Sequence, residues 1–116
     1  ISFPPEKLQV SSISKTGSIM SLWVQEPSFS NAAGTVNLEG VVLNPGGLAH
    51  TSVSLRDAVA AIQIPVVEVH ISNIYARELF RQTSLVSGAC RGVISGLGTS
   101  GYLYAVDYLA QLILDA

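Results

Sequence analysis

The sequence predicts an α/β fold in which helices pack on both faces of a doubly wound parallel sheet, giving three layers. From about residue 39 onward, short apolar runs alternate with segments of helical periodicity, and glycine-rich turns separate them. The order strand, helix, strand, helix, strand, helix implies right-handed crossovers between parallel strands. In such a sheet the functional groups collect at the carboxyl ends of the strands.

Three apolar runs are the predicted strands, because each is short, rich in branched residues and bounded by turn signals. They cover residues 39–44, 64–72 and 91–98. Residues 73–81 between the last two indicate a loop and a short helix. The closing helix is predicted over residues 100–116.

The first helix is predicted over residues 52–62, with Ser52 or Ser54 as its N-terminal cap. Both helices carry an apolar stripe at the spacing that faces a core. In the first helix the stripe is Val53, Leu55, Val59 and Ile62; in the closing helix it is Leu103, Val106, Leu109, Ala110, Leu112 and Ile113.

The first 38 residues differ in character from the rest, since they are rich in Ser, Pro and Gly. Only residues 7–13 and 18–25 have a composition that fits strands or half-turns. A three-stranded sheet is small, so this segment is expected to supply one or two further strands. We interpret residues 1–116 as a single domain, with an N-terminal segment 1–38 that is hard to assign and a clear α/β portion 39–116.

Composition excludes several classes of function. Only 12% of the 116 residues are charged, against about a quarter in ordinary soluble proteins, which favours surface buried between subunits of a homo-oligomer. The net charge of −2 gives no basic field for nucleic acid. A single cysteine, Cys90, excludes a disulfide framework and fits a cytoplasmic protein. No apolar stretch approaches the ~18 residues of a membrane span, so no membrane partner is expected.

Residues 96–101, Gly-Leu-Gly-Thr-Ser-Gly, match the G-x-G-x-x-G pattern of dinucleotide sites. That fingerprint also needs a following strand and an acidic residue about 20 positions on, whereas fifteen residues follow Gly101 here. We therefore expect the glycines to form a structural turn, in which small residues let the helix start pack closely on the sheet.

Two histidines stand where this sheet places a functional site. His50 follows the first clear strand, and His70 ends the second. Glu68 is two residues before His70 and so points to the same face of the strand, where its carboxylate can accept the imidazole N–H and fix its tautomer. An imidazolium held in this way can deliver a proton to a departing hydroxyl. Each histidine taken alone fits a structural role better than a catalytic one, whereas the two together at adjacent strand ends, with Asn44 and Glu68 beside them, favour chemistry.

The neighbouring residues suit a small polyhydroxylated acid. The turn Ile71-Ser72-Asn73 offers backbone N–H groups and a hydroxyl to a carboxylate. Arg81 can bind hydroxyls or an anion, and Asn44 can hydrogen-bond an oxyanion. The Glu68 and His70 pair indicates orientation of an acid rather than a three-ligand metal site, so no metal is expected.

The blocks "NPGGLAHTSVSLRDA" (44–58) and "EVHISNIYARELFR" (68–81) resemble the type II 3-dehydroquinate dehydratases, and the likeness extends over residues of about 39–112. The resemblance implies a flavodoxin-like fold, a dodecamer built from trimers and no cofactor. It also implies a hydro-lyase that converts 3-dehydroquinate to 3-dehydroshikimate by anti elimination through an enolate-type intermediate.

Carried over by position, the resemblance makes His70 the acid that protonates the leaving hydroxyl, supported by Glu68, with Asn44 stabilising the intermediate. The substrate-binding positions that it implies are Ile71 and Ser72 for the carboxylate, His50 and Arg81 for the ring hydroxyls, and Asp57 reaching a neighbouring subunit.

The N-terminal segment departs from the family, which has a lid with an Arg and a proton-abstracting Tyr. No Tyr precedes Tyr75 and no Arg precedes Arg56. Three explanations stand: an omitted or misread N-terminal part, which we favour, a variant with a replaced N-terminus, or a relative that lost activity. The alternative function is a non-catalytic flavodoxin-like binding or scaffold protein.

Overall fold

A five-stranded sheet forms the centre of the structure, a computed structural model that describes the backbone of residues 8–13, 20–30 and 36–114 and the side chains of residues 39–112. Its strands lie side by side in chain order. β3, β4 and β5 are parallel, whereas β1, β2 and β3 are antiparallel to one another in turn. The strands are β1 (Leu8–Ile13), β2 (Met20–Ser30), β3 (Val36–Asn44), β4 (Val66–His70) and β5 (Gly92–Ser95).

The predicted parallel sheet is confirmed for the three strands that carry the candidate site. The N-terminal segment supplies two strands, as expected, but they pair antiparallel. The connections explain this difference: residues 14–19 join β1 to β2, and residues 31–35 join β2 to β3. Five or six residues can close an antiparallel pair, whereas a parallel crossover needs a dozen or more.

In the part of the chain that the structure describes, two α-helices accompany the sheet, α1 (Val53–Ala61) and α2 (Ser100–Leu114). Ser52 caps α1, because its Oγ accepts the Leu55 N–H at 2.9 Å. The connection from β4 to β5 contains only 3₁₀ turns, at Ile74–Ala76, Leu79–Gln82 and Ser87–Ala89, in place of the short helix expected there. Among the described residues, no helix is long and apolar enough to cross a bilayer.

The core has two halves, one on each face of the sheet. Val42, Val67 and Val69 pack against α2, whereas Val41, Leu43 and Val66 face α1 and the β4–β5 connection. Successive residues of a strand point to opposite faces, so the two helices lie on opposite sides and the three-layer arrangement is confirmed. The buried partners on α2 are Tyr102, Ala105, Val106 and Leu109, and those on the other face are Val59 and Val86.

The predicted burial of three residues in the apolar stripes is wrong. Val53 is 60% exposed and Ile62 is 44% exposed, since they sit at the first residue of α1 and just past its last. Leu103 is 64% exposed, because the buried stripe of α2 is set by Tyr102 and Ala105, one step around the helix. The predicted stripe residue Ile113 lies outside the described side chains.

The glycine turn between β5 and α2 is structural, as predicted. Gly96 and Gly98 have φ of 89° and 61°, a region that residues with a side chain rarely adopt. The Gly96 N–H donates to the His70 carbonyl at 3.1 Å, and the Gly98 N–H donates to the Ile71 carbonyl at 3.0 Å. A Cβ on Gly101 would lie 3.1 Å from Val69 Cγ1. The turn therefore holds the residues that follow β4.

Gly96→Ala is expected to destabilise the protein by about 2–4 kcal/mol, because it combines a positive φ with overpacking. Its Cβ would lie 2.9 Å from Asn73 Cβ. Urea unfolding measures the loss. Gly92→Ala is the matched control, since nothing lies within 4 Å of its Cβ, and it should change the free energy of unfolding by less than about 0.5 kcal/mol. Equal effects of the two substitutions would contradict this explanation of the turn.

Candidate active site

A cavity of about 230 Å³ opens at the carboxyl ends of β3 and β4. This is the edge of the sheet at which the sequence places the functional groups. It brings together six of the eight predicted site residues. The lining residues are Asn44, Gly46, Gly47, His50, His70, Ile71, Ser72, Ile74, Arg77 and Arg81.

Glu68 is the seventh predicted residue, and it lies behind the cavity wall rather than in it. Its side chain is fully buried and hydrogen-bonds His70 Nε2. The two side chains share one face of β4, as the spacing of two residues predicts. A carboxylate only accepts hydrogen bonds, so Nε2 of His70 carries the proton of this bond and Nδ1 is the remaining ring nitrogen.

Hydroxyl groups from the β4–β5 connection complete the surroundings of Glu68. Ser87 Oγ donates to Oε1 at 2.7 Å, and Ser84 Oγ lies 3.2 Å from Oε2. Burial by itself raises the pKa of Glu68, but the hydrogen bonds of His70, Ser87 and Ser84 and the charge of His70 outweigh it, so the pKa lies below the ordinary value. The buried carboxylate is therefore held ionised.

His50 occupies the end of a 3₁₀ turn, Gly46–His50, that follows β3. Its Nδ1 donates to the Thr83 carbonyl at 2.8 Å, which leaves Nε2 as the acceptor of the neutral ring. Its ring stacks on that of His70 with centroids 6.3 Å apart and an interplanar angle of 21°. The two histidines therefore form one wall of the cavity.

Asn44 ends β3 and is held at both ends of its amide. Its Oδ1 accepts the Gly46 N–H at 3.0 Å, and its Nδ2 donates to the Tyr102 hydroxyl at 2.8 Å. Tyr102 is buried on α2. Because both interactions select the same orientation of the amide, the side chain is fixed at the cavity before any ligand binds.

The turn after β4 presents Ile71 and Ser72 to the cavity, and both side chains are exposed. The carbonyl of Ile71 accepts the Gly98 N–H, and the carbonyl of Ser72 accepts Ser95 Oγ at 3.3 Å. Among the described residues, the N–H groups of Ile71 and Ser72 take part in no loop hydrogen bond. This pattern leaves N–H groups and a hydroxyl at the cavity, as a carboxylate ligand requires.

Arg81 reaches the cavity from the β4–β5 connection. Its Nε donates to Glu78 Oε2 at 2.9 Å, and its guanidinium lies 5.0 Å from the centroid of the Phe80 ring. Arg77 also lines the cavity and is a site residue that was not predicted from the sequence. Its position four residues before Arg81 is the signal that could have identified it.

Asp57 and Tyr75 lie outside the cavity lining. Asp57 is exposed on α1. Tyr75 is 60% exposed and also lies outside the cavity lining. Over the part of the chain that the structure describes, no group of three His, Cys, Asp or Glu side chains is arranged to hold a metal ion.

A sequence model of the family "Dehydroquinase class II" matches residues 24–110. This range is most of the chain. It contains every residue that lines the cavity, together with the carboxyl ends of β3 and β4 at which the cavity opens. The chain belongs to the class II dehydroquinase family. The likeness seen in the two sequence blocks is thereby confirmed.

Curated relatives carry the name "3-dehydroquinate dehydratase". The relative from Deinococcus radiodurans is 52% identical over 91 residues, covering 78% of this chain and 59% of its own length. That from Halothermothrix orenii is 55% identical over 76 residues, covering 66% and 51%. The chain thus spans between half and three fifths of the length of these relatives.

Solved type II dehydroquinases have the same fold as this chain. The enzyme from Propionibacterium acnes superposes with a TM-score of 0.61 at 46% identity, over 62% of this chain and 53% of its own. The enzyme from Butyrivibrio crossotus also gives a TM-score of 0.61, at 45% identity, over 62% and 50%. The predicted flavodoxin-like α/β fold is therefore confirmed.

Cys90 should react slowly with alkylating reagents in the folded protein. Burial, together with the nearby charge of Glu68, raises the pKa of its thiol to about 12. Since the thiolate is the reactive form, iodoacetamide at pH 7.5 should modify native Cys90 at least about 100-fold more slowly than the urea-unfolded chain. Mass spectrometry of timed samples measures both rates. Similar rates in the two states would contradict the placement of this thiol.

Glu68→Gln is expected to lower the free energy of unfolding by about 3 kcal/mol at pH 7. The neutral amide removes the negative charge that His70, Ser84 and Ser87 bind in the buried site. The pKa of Glu68 is lowered from 4.5 in the folded state, so its contribution is complete above that value and is lost as the pH falls through the folded pKa. Urea unfolding of both proteins between pH 7 and pH 3 should show a difference that narrows below about pH 4.5. A difference independent of pH would contradict the assignment.

Proposed function

We propose that this protein is a 3-dehydroquinate dehydratase, a hydro-lyase that eliminates water from 3-dehydroquinate to give 3-dehydroshikimate. The observation that carries the proposal is the buried Glu68 and His70 pair at a cavity with cationic, hydroxyl and N–H groups. The names of the curated relatives support the same reaction. An enzyme that catalyses this reaction is a lyase of the shikimate pathway.

His70 is the proposed general acid. With Nε2 held by Glu68, the Nδ1 proton of the imidazolium is available to the leaving hydroxyl. The carbon–oxygen bond breaks as this proton joins the oxygen, so the group departs as water rather than hydroxide. Glu68 stays ionised and stabilises the imidazolium. Asn44, whose amide is already oriented, is proposed to stabilise the enolate-type intermediate.

The remaining groups of the cavity are proposed to bind substrate. The substrate carboxylate fits the N–H groups and hydroxyl at Ile71 and Ser72. His50, through Nε2, and Arg81 are proposed to contact ring hydroxyls. No described side chain is assigned as the base that removes the proton, so the proposal gives these residues the acid half of the elimination. No cofactor is assigned to the reaction.

A homo-oligomer is proposed as the working form, with a dodecamer built from trimers as the arrangement that the family resemblance implies. Asp57 is exposed and does not line the cavity of its own chain, and it is proposed to reach the site of a neighbouring subunit. Exposed apolar side chains such as Val53 and Phe80, each 60% exposed, would be covered by neighbouring subunits. A cytoplasmic location stays a prediction from composition.

His70→Ala is expected to lower kcat by roughly 10²–10⁴, the usual contribution of a positioned acid. The change should fall on kcat more than on KM, because His70 acts on the departing group. The assay is the growth of ultraviolet absorbance from the conjugated enone of the product after addition of 3-dehydroquinate.

Tyr108→Phe is the control, since Tyr108 lies on α2 and its hydroxyl contacts Arg91 rather than the cavity. It should keep the parent rate. A His70→Ala rate within threefold of the parent would refute the assigned acid. Binding of 3-dehydroquinate by calorimetry with no conversion by the folded oligomer would refute the elimination and favour a binding protein.

A further inference from the structure

We propose that residues 83–87, Thr-Ser-Leu-Val-Ser, form a positioning element for both histidines, and that Ser87 acts through Glu68 to keep His70 in its working orientation. This inference rests on the proposed function for its effect on turnover. Its structural part concerns the ionisation of Glu68 and stands independently of that function.

The first support is the pair of serine hydroxyls on Glu68. Ser87 Oγ donates to Oε1 at 2.7 Å, and Ser84 Oγ reaches Oε1 at 3.3 Å and Oε2 at 3.2 Å. Ser84 Oγ also accepts the N–H groups of Val86 at 3.2 Å and of Ser87 at 3.1 Å. Because its lone pairs are used in this way, the Ser84 hydroxyl proton is directed to the carboxylate.

The second support is that the same five residues also hold His50. The Thr83 carbonyl accepts His50 Nδ1 at 2.8 Å. Two residues on, the Leu85 N–H donates to the Ala49 carbonyl at 2.7 Å, which ties the segment to the turn that carries His50. Arg56 of α1 donates to the Leu85 carbonyl at 3.3 Å. A displacement of this segment would therefore move the partners of both rings together.

The third support is the charge of the groups that face Glu68. Those on neighbouring elements are the hydroxyls of Ser84 and Ser87 and the thiol of Cys90, whose Sγ lies 4.0 Å from Oε1. Among the described residues, His70 is the one side chain bonded to this carboxylate that can carry a positive charge. Neutral donors hold the carboxylate without cancelling its charge, so the negative charge remains directed at the imidazole.

The test compares Ser87→Thr with Ser87→Val, two side chains of equal size that differ by the hydroxyl. Ser87 is chosen because its hydroxyl bonds Glu68 alone, whereas Ser84 also holds the loop backbone. NMR of the carboxyl carbon of Glu68, measured without substrate, should show its titration midpoint at higher pH in Ser87→Val and near the parent value in Ser87→Thr. Ser87→Ala, which removes the hydroxyl without adding bulk, should match Ser87→Val.

Turnover is the second readout of the same variants. Ser87→Val and Ser87→Ala should lower kcat for 3-dehydroquinate roughly 10-fold to 100-fold, the usual worth of a hydrogen bond to a charged group. KM should change less than about twofold, because Ser87 does not line the cavity, and Ser87→Thr should restore most of the rate.

An unchanged Glu68 midpoint in both variants that lack the hydroxyl would overturn the proposal. So would an equal loss of kcat in Ser87→Thr and Ser87→Val, since bulk alone would then explain it. A parent protein with no dehydratase activity would refute the proposed function, while the Glu68 titration would still decide the role of Ser87.

Discussion

The burial of the Glu68 carboxylate is the constraint on which the candidate site depends. A charge without solvent is costly unless it is paired and hydrogen-bonded. Here the fully buried side chain is bound by His70 and by the hydroxyls of Ser84 and Ser87. These partners come from one strand and from the connection that crosses to the next strand. The same interactions that satisfy the charge therefore orient the imidazole.

The sheet explains how so few residues can build the cavity. Parallel pairing aligns Leu43 with Glu68, and Glu68 with Val93, so Asn44 and His70 end adjacent strands at one edge. Alternation along β4 sends Val67 and Val69 to the core under α2 and leaves Glu68 and His70 on the other face. The glycine turn then fixes the chain after His70 through the carbonyls that it binds.

Much of this arrangement could be predicted from the sequence, because it depends on local periodicity. The period of two placed Glu68 and His70 on one face, and the strand ends placed Asn44 and His50 near them. The direction of β1 and β2 depends on connection length and pairing, which the apolar pattern does not encode. On α2, Leu103 was wrongly predicted to face the core, because leucine and tyrosine both suit an apolar stripe. Tyr102 lies on the buried face instead, where its hydroxyl accepts the hydrogen bond of Asn44. The hydroxyls that bond Glu68 belong to Ser84 and Ser87 in the β4–β5 connection. That connection has no regular periodicity, so the sequence pattern did not predict these contacts.

The two histidines are held in opposite tautomers. His70 bonds the Glu68 carboxylate through Nε2, whereas His50 bonds the Thr83 carbonyl through Nδ1. Long-range proton–nitrogen correlation spectra of the ¹⁵N-labelled protein, at a pH where both rings are neutral, measure this directly. We expect a proton on Nε2 of His70 and on Nδ1 of His50. The same tautomer in both rings, or a proton on Nδ1 of neutral His70, would contradict it.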